Sequence, residues 1–233
     1  MNIALILSGG IGSRLGADIP KQYMKVNNKM IISYCMKTLT NHPDIDGIQI
    51  VADIMWQERI EEEFRQQNIL SSKFYGFSMP GESRQGSILN GLKDIKTKVS
   101  GNTYILIHDA ARPLISNRLI TECLRGVIGH DGLMPILPVK DTMYLTDNYG
   151  HRINQLLERE RVVAGQAPEV FLFEKYYKIN TEMTVDEINC VHGSTEPAYK
   201  NGLDIVLIPG EEKNFKITTK EDFERFRLIM EGR

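Results

Sequence analysis

The chain lacks any apolar run approaching the roughly 20 residues that a bilayer crossing requires. It also lacks a basic-then-apolar leader: Met1-Asn2 opens onto a short apolar stretch, so no targeting segment is expected. Cysteine is scarce, with three residues (Cys35, Cys123, Cys190) far apart in sequence. An odd, scattered set excludes a disulfide framework and fits reduced thiols in a cytoplasmic protein. With no C-x-x-C pair, zinc has no ligand spacing to use. Positive charge is not in excess, with 28 Lys and Arg against 30 Asp and Glu, so the basic footprint of a nucleic-acid binder is absent. The five histidines (His42, His108, His130, His151, His192) stand at no metal spacing and beside no serine nucleophile. A G-x-S-x-G elbow is also missing. There are no repeats and no low-complexity linkers.

What remains is a chain of 233 residues, long enough to bury a full core, so one unit spanning 1–233 is expected. Apolar runs alternate with amphipathic stretches. Residues 2–7, 47–52, 72–78, 103–108 and 204–208 read as strands. So does 132–138, where Pro135 points to an edge or distorted strand. Residues 30–40, 56–69 and 84–95 read as helices, as does the segment after Ser116; Ser83 and Ser116 stand as N-caps. Thr219 with Asp222 has the spacing of a capping box for a last helix. Alternation of this kind predicts an α/β protein with a mostly parallel, Rossmann-like sheet. Residues 140–166 break the rhythm: alternating polar and apolar residues surround Asp147-Asn148-Tyr149-Gly150, which predicts a protruding β-hairpin arm.

In parallel sheets ligands sit at the carboxyl ends of strands, and three strands here end in chemically loaded loops. The first, Ser8-Gly9-Gly10-Ile11-Gly12-Ser13-Arg14, continues to Pro20-Lys21-Gln22. Glycines let a backbone approach a ligand closely and turn N–H groups toward it, and two cations beside such a turn suit a polyphosphate. It is not a Walker A loop, because Ala17 follows Gly16 where lysine belongs. A dinucleotide fingerprint fails as well, since Leu15 stands at the third glycine, although Asp53 could mimic the ribose-binding acid. A plain glycine turn with solvated charges is the bland alternative.

The second loop is Gly81-Glu82-Ser83-Arg84-Gln85-Gly86-Ser87, whose small polar residues could fit around a planar base while Ser83 caps a helix. The third is His108-Asp109-Ala110-Ala111-Arg112-Pro113. Asp109 at a strand end can hold Mg²⁺, which needs only one or two carboxylates beside phosphates and water; equally, it can pair with Arg112. Lys216, in Asn214-Phe215-Lys216-Ile217-Thr218, is a phosphate candidate or a surface lysine.

Taken together and in order, these motifs, with Arg84-x-x-Ser87 and Pro138-Val139-Lys140-Asp141-Thr142, resemble the cytidylyltransferases that act on 2-C-methyl-D-erythritol 4-phosphate and D-ribitol 5-phosphate. The likeness spans nearly the whole chain. It implies transfer of CMP from CTP to a polyol phosphate, giving a CDP-polyol and pyrophosphate, with Mg²⁺ as cofactor. By matching position, Arg14, Lys21 and Lys216 are implied as catalytic cations on the CTP phosphates. Leu7, Ser8, Gly9, Gly10, Gly12, Gly81, Glu82, Ser87 and Ala110 are implied to bind the nucleotide, and Asp109 to bind the metal. The family's arm exchanges between subunits of a homodimer, so Thr142 and Arg159 are implied to reach the partner's acceptor phosphate, with Arg112 near the acceptor.

Two departures fall on the acceptor side. Gln166-Ala167-Pro168 replaces the more usual Gln-Thr-Pro or Leu-Thr-Pro, and His192-Gly193-Ser194-Thr195-Glu196-Pro197 replaces a Thr-Asp-Glu/Asp-type segment. Leu7-Ser8-Gly9-Gly10 is closer to the ribitol-phosphate branch than to the Pro-Ala-Ala-Gly of methylerythritol enzymes, so ribitol 5-phosphate is favoured slightly, with a glycerol phosphate as a further possibility. Two other classes stay open: a dinucleotide-dependent oxidoreductase, and a nucleotide-binding module without turnover.

Overall fold

The computed structural model describes residues 1–10, 19–99 and 101–232. Arg14 and Gly12 lie outside these residues. The chain opens with β1 (Asn2–Leu7), followed by a small pair, β2 (Lys25–Val26) and β3 (Lys29–Met30). Helix α1 (Ile31–Asn41) leads to β4 (Gly47–Val51), and α2 (Ile54–Gln66) to β5 (Phe74–Ser78). Next come α3 (Arg84–Lys96), β6 (Tyr104–Asp109), α4 (Asn117–Gly126) and β7 (Gly132–Pro138). The arm holds β8 (Tyr144–Thr146) and β9 (Ile153–Leu156), and the chain returns as β10 (Val163–Gly165) and β11 (Glu169–Leu172). Helices α5 (Phe173–Glu182), α6 (Val185–Cys190) and α7 (Thr195–Lys200) precede β12 (Ile205–Pro209) and α8 (Lys220–Met230).

Among the described residues the main sheet has eight strands, ordered β10-β7-β11-β6-β1-β4-β5, with β12 also on β7. Strands β6, β1, β4 and β5 run parallel, as does the β7–β12 pair, whereas β11 lies antiparallel between β6 and β7. The sheet is therefore mostly parallel, as the alternation of elements predicts.

Both sheet faces are covered, which is why the strands are apolar without a break. Ala4, Ile6, Ile48, Ile50, Leu106 and Val170 pack toward α1, α2 and α4. Their neighbours Ile3, Leu5, Val51, Ile105, Ile107 and Phe171 point the other way, onto Ile88, Leu92 and Ile95 of α3 and Phe173 and Tyr176 of α5. A third cluster joins Val26, Ile31 and Ile217 to Phe226 of α8. Cys35 and Cys123 are buried in the first of these layers, and burial pushes the Cys35 thiol up to about 12.

Pro135 is not at an edge. Strand β7 has β12 along one side and β11 and β10 along the other. The proline is tolerated because residues 166–168 interrupt the β10–β11 side beside it, where only its carbonyl is engaged, by the Gln166 N–H at 2.8 Å. The hairpin in 140–166 is present as the antiparallel pair β8–β9, apart from the main sheet. The return leg differs from the expectation, because β10 rejoins the main sheet on β7.

Thr219 accepts from the Asp222 N–H at 3.2 Å, and Asp222 bonds back to the Thr219 N–H at 2.9 Å, completing the expected capping box. Replacing Thr219 by Ala should lower stability by about 1 kcal/mol. Phe226→Ala, which opens the fully buried contact beneath α8, should cost about 3–5 kcal/mol. Urea unfolding of both variants checks the ordering.

Candidate active site

The three loops that follow β1, β5 and β6 converge on one cavity of about 420 Å³, within the range of small-molecule sites. Leu7, Gly9, Gly10, Lys21, Gly81, Glu82, Ser87, Asp109 and Lys216 line it, together with Gln22, Ser83, Arg84 and Ala111.

The first loop is fixed from behind. The Gln22 side-chain amide donates to the carbonyls of Ser8 and Gly10, both at 2.7 Å. The Tyr23 hydroxyl donates to the Ser8 carbonyl at 2.8 Å, and its ring stacks on Trp56 with centroids 4.5 Å apart. Pro20-Lys21-Gln22-Tyr23 thus does two things at once: Gln22 and Tyr23 hold the glycine loop, and Lys21 between them lines the cavity. The Ser8 side chain is buried and bonded to the Tyr23 hydroxyl instead of lining the cavity.

Two glycines are required by close approach. A Cβ on Gly9 would come within 2.6 Å of Pro80 Cβ, and one on Gly81 within 2.5 Å of the Gly86 backbone. The Gly81 N–H donates to Ser87 Oγ at 3.0 Å, folding the second loop onto the start of α3. Ser83 caps that helix, accepting from the Gly86 N–H at 3.1 Å. As a result Arg84 leaves the first turn of α3 toward the end of β6.

There it meets Asp109, the centre of the cavity's charge. Arg84 Nη2 lies 3.2 Å from Asp109 Oδ1, while Lys216 Nζ and Arg112 Nε lie 3.0 and 3.3 Å from Oδ2. Asp109 is only 6% exposed. Burial opposes its charge, but Arg84, then Lys216 and Arg112, outweigh that and hold the carboxyl well below the usual carboxylate range. Of the two readings of Asp109 in the sequence, the pairing with Arg112 is present, and the carboxylate also lines the cavity.

Lys216 is delivered by the loop before α8. Gln166 clamps Glu211, accepting its N–H at 3.0 Å and donating to its carbonyl at 2.9 Å. Buried Asn214 donates to the Ala167 carbonyl at 2.7 Å, the Arg112 guanidinium donates to the Asn214 carbonyl at 2.9 Å, and the Ile217 N–H bonds the Ala111 carbonyl at 2.9 Å. His108, buried beneath, donates from Nε2 to the Arg112 carbonyl at 3.0 Å; burial pulls its pKa down to about 4, so the ring stays neutral.

The remaining sequence candidates stand outside the cavity lining. Ala110 is buried next to it, and Ala111 lines the wall. Arg112 pairs with Asp109 and is not part of the lining. Thr142 is exposed and Arg159 half-exposed in the arm region, the latter bonded to the Lys140 carbonyl at 3.2 Å. Arg84 is the residue to which the motif reading assigned no role. Its Nη1 also donates to buried Ser194 Oγ at 2.9 Å, and Nη2 lies 3.9 Å from Glu169 Oε2.

Residues 2–232 match the family described as "IspD: 2-C-methyl-D-erythritol 4-phosphate cytidylyltransferase". The chain belongs to this family. It is thus a CTP-dependent cytidylyltransferase. It is 31% identical to a 2-C-methyl-D-erythritol 4-phosphate cytidylyltransferase of Thermotoga neapolitana over 98% of this chain and 96% of that protein. It is 30% identical to a ribitol-5-phosphate cytidylyltransferase of Vibrio parahaemolyticus over 99% and 96% of the two chains. A crystal structure of the 4-diphosphocytidyl-2C-methyl-D-erythritol synthase of Anaerococcus prevotii superposes with a TM-score of 0.81, covering 99% and 96% of the chains at 19% identity, and so shares the fold.

Asp109→Asn should destabilise this cytidylyltransferase at neutral pH by about 2–3 kcal/mol. That is discounted from the roughly 3–5 kcal/mol for breaking a fully buried pair, because Arg84 and Lys216 remain 32% and 36% exposed. A depressed folded pKa gives stability that is present above the unfolded value of 3.8 and lost as pH falls below it. The difference between wild type and variant in denaturant unfolding should therefore shrink below about pH 4.

Proposed function

We propose that the chain transfers CMP from CTP to a polyol phosphate, with ribitol 5-phosphate ahead of 2-C-methyl-D-erythritol 4-phosphate. The observation that carries this reading is the cavity at the strand ends in which Lys21, Arg84 and Lys216 stand with Asp109 beside the glycine loop. The loop Leu7-Ser8-Gly9-Gly10 supports the choice of acceptor; the relatives include a methylerythritol-phosphate and a ribitol-phosphate enzyme at nearly equal identity and favour neither.

The reaction needs no protein nucleophile. An acceptor phosphate oxygen forms a bond to the α-phosphorus of CTP, the bond from that phosphorus to the bridging oxygen breaks, and pyrophosphate leaves with the electron pair. The barrier lies in bringing two anions together and in stabilising charge in line. Lys21 and Lys216, with Arg14 of the same glycine segment, supply positive charge for both. Leu7, Gly9, Gly10, Gly81, Glu82 and Ser87 shape the nucleotide's place, with Ser8 and Ala110 supporting it, and Gly12 is assigned to the nucleotide with them.

Among the described residues no three His, Cys, Asp or Glu side chains group to hold a metal by themselves. One ionised carboxylate facing a phosphate site does fit Mg²⁺, which draws its other ligands from phosphates and water. Asp109 would hold the ion, which would neutralise triphosphate charge when bound.

The arm supports a homodimer. Tyr144, Leu145, Ile153 and Leu156 on β8 and β9 are all exposed, an apolar surface suited to a second copy. In that arrangement Thr142 and Arg159 serve the partner's acceptor phosphate, with Arg112 of the home subunit near the acceptor.

Pyrophosphate release from CTP and Mg²⁺ should be fastest with ribitol 5-phosphate in a panel with methylerythritol and glycerol phosphates. No release with any acceptor would point to a binding module. Lys21→Ala should lower kcat at least about tenfold with the fold intact by circular dichroism; near-normal turnover would remove its role. Mixing Lys21→Ala and Arg159→Ala subunits should restore about a quarter of wild-type activity, since random mixed dimers regain one intact site. No recovery would place Arg159 in its own subunit's site.

A further inference from the structure

Asp109 Oδ1 receives Arg84 through both Nε and Nη2, and Oδ2 receives Arg112 and Lys216. A carboxylate offers about four acceptor directions, so all are engaged, and an incoming cation must displace one of these partners. Arg112 is tied at its other end to the Asn214 carbonyl, and Lys216 sits on a loop docked against Ala111. Arg84, by contrast, has a second carboxylate in reach.

That carboxylate is Glu169, the first residue of β11 and 8% exposed. Its Oε1 accepts from Thr195 Oγ1 at 3.1 Å. Its Oε2 accepts no hydrogen bond and lies 3.9 Å from Arg84 Nη2. A shift of about 1 Å brings that pair into hydrogen-bond range. Throughout, Arg84 Nη1 can stay on Ser194 Oγ, 2.9 Å away, as a pivot. A buried guanidinium leaves one carboxylate at modest cost only if another receives it, because an uncompensated buried charge is expensive.

We propose that Glu169 is a positioning residue: it takes up Arg84 when Asp109 exchanges that guanidinium for the divalent cation that accompanies CTP. The proposal rests on the CTP reading of the site. It gives the acceptor-side segment Ser194-Thr195 a second task, holding the pivot and orienting the receiving carboxylate.

Calorimetric titration of CTP into the full chain, without acceptor, in EDTA and then in Mg²⁺, isolates the step. In wild type Mg²⁺ should tighten CTP binding. Glu169→Gln keeps the shape and removes the charge; it should lose about tenfold of that Mg²⁺-dependent gain, with CTP affinity in EDTA unchanged within twofold. Glu169→Asp, a charge-preserving variant that also covers a failure of Glu169→Gln to fold, should fall between the two. A full gain in Glu169→Gln, or in Glu169→Asp a loss equal in EDTA and Mg²⁺, overturns the proposal, as does a wild type indifferent to Mg²⁺. A wild type that binds no CTP in either buffer overturns the reading of the site instead.

Discussion

The buried carboxylate of Asp109, held ionised by Arg84, Arg112 and Lys216, is the interaction on which the site depends. Each cation comes from a different part of the chain: the start of α3, the turn after β6, and the loop before α8. Without the carboxylate the three would repel one another in a partly buried space. With it they form a compact field of positive charge, which a triphosphate and a phosphate acceptor both need. In the proposed reaction this same anion is where the cation that accompanies CTP would be held.

The fold supplies this arrangement cheaply. A parallel sheet sends its loops out from one end, so β1, β5 and β6 deliver the glycine loop, the α3 turn and Asp109 to one opening. The antiparallel strand β11, inserted between β6 and β7, brings Glu169 to the other side of Arg84. It also brings Gln166 and Ala167 against the loop that carries Lys216. The same insertion that breaks the parallel order thus completes the charged wall.

Much of this was legible in the residues. Strands covered on both faces are apolar throughout, so β1, β4 and β6 announced themselves, as did the caps at Ser83, Ser116 and Thr219. Pro135 suggests an edge or a distorted strand, and β7 is not an edge: a local rule about proline cannot anticipate that the partner side is interrupted at residues 166–168, between β10 and β11. Strand β11 is four residues long and directly follows Pro168, so periodicity had too little to work on. Asp109 showed two plausible partners in sequence, and the structure gives it three cations. Arg84 belonged to a motif, yet its task depends on Ser194, 110 positions away, and on Glu169; no local pattern encodes such a meeting.

In the proposed reaction this charged cavity holds the triphosphate of CTP. Amide hydrogen exchange of the full chain with and without CTP and Mg²⁺ tests it most directly. Exchange should slow in peptides spanning 7–10, 79–90, 109–112 and 214–217, with α8 unaffected. Protection confined to other segments, or no protection at saturating CTP, would contradict it.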